Sequence, residues 1–131
     1  MIITWRHSLY ATVYCVAIFI LSSGPVPIEG PSFPAKDKIA HVAIYAGLAA
    51  IVGAGIRRKG RSSPAFEIMF PILFATLYGV TDEIHQSFVP TRSCDLLDVA
   101  ADFTGAVLVQ IAWYGIFRRG RSITSKQSTN P

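Results

Sequence analysis

Polar residues able to do chemistry recur at helical spacing in three stretches of an otherwise apolar chain. Lys38, His41 and Tyr45 stand at i, i+3 and i+7, so one helix would carry all three on a single face. Asp82 and Gln86 are four apart, and Glu83 and Gln86 three apart. Asp95, Asp98, Asp102 and Gly105 are separated by three, four and three, a stripe of carboxylates that ends in a residue permitting close packing. Between the last two stretches lies a loop, 88–94, that contains Arg92. Such a set favours a cation, an amine, shared protons, or a metal ion bridging to a phosphate. The Arg92 guanidinium could hold a carboxylate or phosphate through two parallel hydrogen bonds.

Each group also has a purely structural reading. Glu83 and Arg92 could form an ion pair that locks the third helix to its loop. Asp95 or Asp98 could cap the start of the fourth helix. His41 is expected to hydrogen-bond a neighbouring carboxylate, ahead of accepting a proton or joining a metal. Tyr45 and Gln86 could serve as helix-to-helix hydrogen bonds, and His85 is expected to point away from the cluster. Asp102 lies too far into its helix to cap it, which makes it the stronger functional candidate. No Gly-x-Ser-x-Gly, His-Glu-x-x-His or phosphate-cradling glycine loop is present. No catalytic residue is therefore assigned, and neither a cofactor nor a metal ligand is expected.

The elements that must position these residues are apolar. The chain has 131 residues, 51% hydrophobic and only 15% charged, where a soluble domain carries about a quarter. Four apolar runs read as helices at about 6–23, 38–56, 64–87 and 97–117. The expected fold is an all-α membrane protein, a four-transmembrane-helix bundle over residues 1–121, followed by a disordered tail at 122–131. The first run is also long enough for a signal peptide, but no small-x-small cleavage site follows it. In the second run Ala46, Ala50 and Ala54, and likewise Ala49 and Gly53, have the small-xxx-small spacing that lets membrane helices approach closely.

Charge placement gives the orientation. With four spans, nine of the twelve Lys and Arg fall on one side, which the positive-inside rule makes cytoplasmic together with both termini. Seven of the eight acids fall on the other side, more than orientation requires. Basic residues cluster beside apolar runs and not on an aromatic-rich surface, so nucleic acid is not an expected partner.

Lys38-x-x-His41-x-x-x-Tyr45, then Asp82-Glu83-x-x-Gln86-x-Phe88-x-Pro90-x-Arg92, then Asp98-x-x-x-Asp102-x-x-Gly105 resembles the VanZ-like family of small bacterial membrane proteins. The resemblance runs from Asp37 to about Gly105. Thr91 stands where the family loop commonly has glycine, and Asp102 where the fourth helix often has asparagine. The family's namesake is associated with resistance to the glycopeptide antibiotic teicoplanin. The resemblance implies a multi-pass protein of the bacterial inner (cell) membrane, with lipids as partners and a role in the cell envelope. The expected function is an outward-facing pocket of Lys38, His41, Tyr45, Asp82, Glu83, Gln86, Arg92, Asp98 and Asp102. It would bind an envelope lipid, a lipid-linked cell-wall component or a lipophilic glycopeptide. Arg92 and Lys38 would meet acidic groups of that ligand, while Glu83, Asp98 and Asp102 orient them or hold an amine. The alternative is a membrane-embedded, metal-assisted enzyme acting on a lipid phosphate or head group. A homo-oligomer is compatible with either.

Overall fold

The structure is a computed structural model; it describes residues 3–24, 36–58, 62–90 and 92–127, with side chains as far as 116. Residues 25–35 and 59–61, Thr91 and the side chains of Arg118, Arg119 and Arg121 lie outside the described residues. Four helices follow one another: α1 Trp5–Ser22, α2 Lys36–Arg57, α3 Pro64–Gln86 and α4 Leu96–Gln127. The backbone of α4 thus continues as helix into the stretch expected as a tail.

Local signals set the helix limits. Pro64 opens α3 at a position where its missing N–H costs nothing, and the Ser63 hydroxyl accepts from the Phe66 N–H. Asp95 performs the same service for α4, its Oδ1 accepting from the Leu97 N–H at 2.9 Å. Pro71 lies inside α3 and is buried.

α2, α3, and α4 over Leu96–Ile116 are each long and apolar enough to cross a membrane. α1 is the exception. Its 18 residues include Arg6 and His7 in the first turn, and at 1.5 Å per residue it reaches about 27 Å. Its outward side chains, among them Leu9, Val13, Val16 and Ile20, are nevertheless apolar and exposed.

Packing is centred on α2. Its buried stripe of His41, Tyr45, Leu48, Ala49, Val52 and Ile56 faces α4 first and α3 second, with α1 against another side of α2. With no water to expel, helices in a bilayer hold together by close packing and interhelical hydrogen bonds. Both occur here. A Cβ on Gly105 would collide with the Val42 backbone carbonyl, so α4 and α2 cross backbone to backbone. The Tyr14 hydroxyl donates to the Ile44 carbonyl, and the Tyr78 hydroxyl to the Cys15 carbonyl at 2.6 Å, tying α1 to α2 and α3.

At one end of the bundle Arg57 turns back inward. It donates to the Gln110 side chain and to the Glu67 carbonyl, and lies over the Trp113 ring at 5.2 Å. Gln110 in turn donates to the Ala49 carbonyl at 2.9 Å. Between this end and the acid-rich end lie the buried apolar side chains Leu48, Val52, Ala75 and Ala106.

Candidate functional site

The starts of α2 and α4 and the end of α3 meet at the acid-rich end. Lys38 reaches across from α2 to α4, its Nζ donating to Asp95 Oδ2 at 2.7 Å and to Asp98 Oδ1 at 2.8 Å. The ammonium holds the Asp95 carboxyl below the usual carboxylate range. One turn deeper, His41 Nδ1 bonds Asp102 Oδ1 at 2.8 Å, both groups buried. Asp102 is completely buried, and its seat exists because position 79 is glycine: a Cβ there would collide with Oδ2. Deeper still, Tyr45 lies parallel to the His41 ring, centroids 6.0 Å apart. Its hydroxyl is buried beside Asp82 but makes no hydrogen bond of good geometry.

α3 contributes two kinds of contact. Glu83 Oε2 accepts the Asp95 backbone N–H at 2.9 Å, joining the end of α3 to the start of α4. Gln86 donates to Asp82 Oδ2 at 3.0 Å and accepts from Arg92 at 3.2 Å.

Arg92 departs from the expected pairing with Glu83. Its Nε donates to the Gly24 carbonyl at 3.1 Å and its Nη2 to the Leu21 carbonyl at 3.4 Å, while Nη1 takes Gln86. The physical reason is the end of α1, where carbonyls without helical partners gather negative partial charge and attract a cation. Arg92 and Lys38 are thus both engaged within the protein. A ligand's acidic groups would have to compete with these internal bonds for Arg92 and Lys38.

Besides the Tyr45 hydroxyl, what remains unsatisfied at this end is acceptor capacity. Glu83 Oε1 and Asp102 Oδ2 are buried and accept no hydrogen bond among the described residues. His41 Nε2 faces Glu83 Oε1 at 4.0 Å, beyond hydrogen-bond reach.

Two residues of this end were not picked out from the sequence as site residues. Asp37 is exposed beside His41 and Asp98, and its i, i+4 spacing to His41 was the available signal. Gly79 shares the Asp82/Glu83/Gln86 face at i, i+3, i+4 and i+7. His85 turns to α1 instead, its Nε2 3.0 Å from the Ser23 hydroxyl and its ring against Phe19.

An all-helical chain with membrane-length apolar helices and a buried charged cluster at one end is a helical membrane protein, because such groups are too costly in a bilayer unless they are gathered and paired. The chain belongs to the VanZ/LLP1 family, whose family model matches residues 17–118. That match covers the last part of α1, all of α2 and α3, and the membrane-length part of α4. No curated protein and no solved structure matches the chain.

Proposed function

We propose that the chain crosses a bacterial inner membrane four times, with both termini cytoplasmic, and that its acid-rich end is an outward-facing binding pocket. The ligand class is an envelope lipid, a lipid-linked cell-wall component or a lipophilic glycopeptide, in keeping with a role in the envelope and in glycopeptide resistance. Its head group brings positive charge or hydrogen-bond donors to Glu83, Asp98 and Asp102.

The topology is supported by the apolar outer surface of α1 and by the one-sided distribution of Lys and Arg. It predicts the labelling of the two free thiols. Cys94 is exposed at the acid-rich end, whereas Cys15 is partly buried in the middle of α1. A membrane-impermeant maleimide added to intact cells should modify Cys94 and leave Cys15 untouched. Labelling of Cys94 only after the cells are opened would reverse the orientation.

One observation carries the binding reading: two buried carboxylate oxygens lack donors while both nearby cations are already engaged. Leaving a buried charged acceptor unsatisfied costs several kcal/mol, roughly, so the arrangement calls for a group that supplies positive charge. In native mass spectrometry, protein released gently from membranes should retain phosphatidylethanolamine over phosphatidylglycerol. Glu83→Gln should cut that retention about tenfold, one charge-assisted contact being worth about 1.5–3 kcal/mol. Equal retention by wild type and Glu83→Gln refutes the pocket.

A second reading is a metal-assisted enzyme acting on a lipid phosphate. The grouping of Asp37, His41 and Asp98, with ligand atoms within 4.8 Å of one another, favours it. It requires turnover of a lipid phosphate that stops on chelation and in Asp98→Asn.

A further inference from the structure

We infer that the acid-rich end holds one divalent transition-metal ion, with His41 Nε2 and Glu83 Oε1 as its deepest ligands and Asp98 and Asp37 on its open side. The inference rests on the pocket reading and narrows it. Positive charge reaches Glu83 as a metal ion, and a phosphate-bearing head group then completes the coordination.

Three independent features converge on this ion. First, His41 is already oriented as a ligand. Its Nδ1 bonds the fully buried Asp102, and in the neutral ring that places the proton on Nδ1 and the lone pair on Nε2. A carboxylate behind an imidazole is the usual support of a metal-binding histidine. Second, Glu83 is 1% exposed and its Oε1 accepts nothing, although Oε2 is fixed by the Asp95 N–H. The 4.0 Å between His41 Nε2 and Glu83 Oε1 is too long for a hydrogen bond. Two tetrahedral ligands of one ion at about 2.1 Å each lie about 3.4 Å apart, so a small inward turn of either side chain closes this pair onto an ion. Third, one ligand atom from each of Asp37, His41 and Asp98 lies within 4.8 Å of the others, a group that meets Glu83 through the shared His41.

Lys38 is the competing charge. Its single ammonium is shared between Asp95 and Asp98. Asp37, Glu83 and Asp102 are left without a lysine or arginine partner among the described ion pairs, so the cluster keeps an excess of negative charge. One imidazole nitrogen with carboxylate oxygens favours Zn²⁺ or Mn²⁺ over Mg²⁺ or Ca²⁺, which take oxygen ligands. Asp37, exposed, leaves room on the ion for a phosphate oxygen.

The full chain in detergent, stripped with chelator and dialysed against Zn²⁺, should take up about one equivalent, with Co²⁺ giving a ligand-field spectrum in its place. Glu83→Gln should weaken uptake about 100-fold. Asp102→Asn, which touches no metal in this arrangement, should weaken it about 10–100-fold through His41. Should Glu83→Gln fail to fold by circular dichroism, the exposed Asp37→Asn serves instead, with a loss of about tenfold expected. Absence of Zn²⁺ uptake by the wild type, or unchanged uptake in folded Glu83→Gln, overturns the inference. If phosphatidylethanolamine retention still depends on Glu83 in that event, the pocket stands and only the metal is lost. If neither probe binds, both readings fall.

Discussion

Gly105→Ala should destabilise the bundle by about 1–3 kcal/mol, toward the upper end, seen as a lower melting temperature in detergent. The added methyl would meet the Val42 carbonyl carbon, oxygen and Cα, which are main chain and cannot swing aside. α2 and α4 would have to separate, and with them the pairs Lys38–Asp98 and His41–Asp102 that span the same crossing. Gly115→Ala is the matched control, because a Cβ there meets nothing within 4 Å. It should be neutral or stabilise slightly, since alanine is the better helix former by about 1 kcal/mol. If the two variants melt alike, the backbone crossing is not as described.

The second large effect belongs to His41. Removing its ring in His41→Ala leaves the Asp102 carboxylate, completely buried, with no partner, at a cost of about 3–5 kcal/mol. Asp102→Asn should cost only about 1 kcal/mol, because an amide oxygen can still accept from His41 Nδ1. Combining the two should be markedly non-additive, with a coupling of about 0.5–3 kcal/mol, since after the first change the second has no charge to strand. Additive melting shifts would mean that the two side chains do not depend on each other.

The side-by-side placement of Lys38, His41 and Tyr45, and of Asp95, Asp98 and Asp102, was legible because the helical period alone puts each set on one face. Both faces also had to turn inward, since a bilayer penalises outward charges. The role of Gly105 followed from the same stripe. Arg92 was not legible. Its partners are the carbonyls of Leu21 and Gly24, far away in sequence, and a main-chain acceptor leaves no mark on residue type. Glu83 was offered as the partner that would lock the third helix to its loop, yet it is drawn to the Asp95 N–H at the opening of α4. Asp37 was not picked out as a site residue, although four residues on stands His41. α1 was harder to read for a different reason: Arg6 and His7 shorten its apolar run, while its exposed surface remains apolar.

On the proposed topology the buried side chains Leu48, Val52, Ala75 and Ala106 form the floor of the acid-rich end, with Arg57 and Gln110 packed against its far side. An ion or head group that enters this cup must leave by the mouth through which it came. In a chain that spans the membrane in this way, more of the transmembrane voltage would fall across the apolar floor than across the polar cup, the cup being the better dielectric. Occupancy should therefore follow the composition of the medium and the outer leaflet, and stay nearly indifferent to whether the cell is energised.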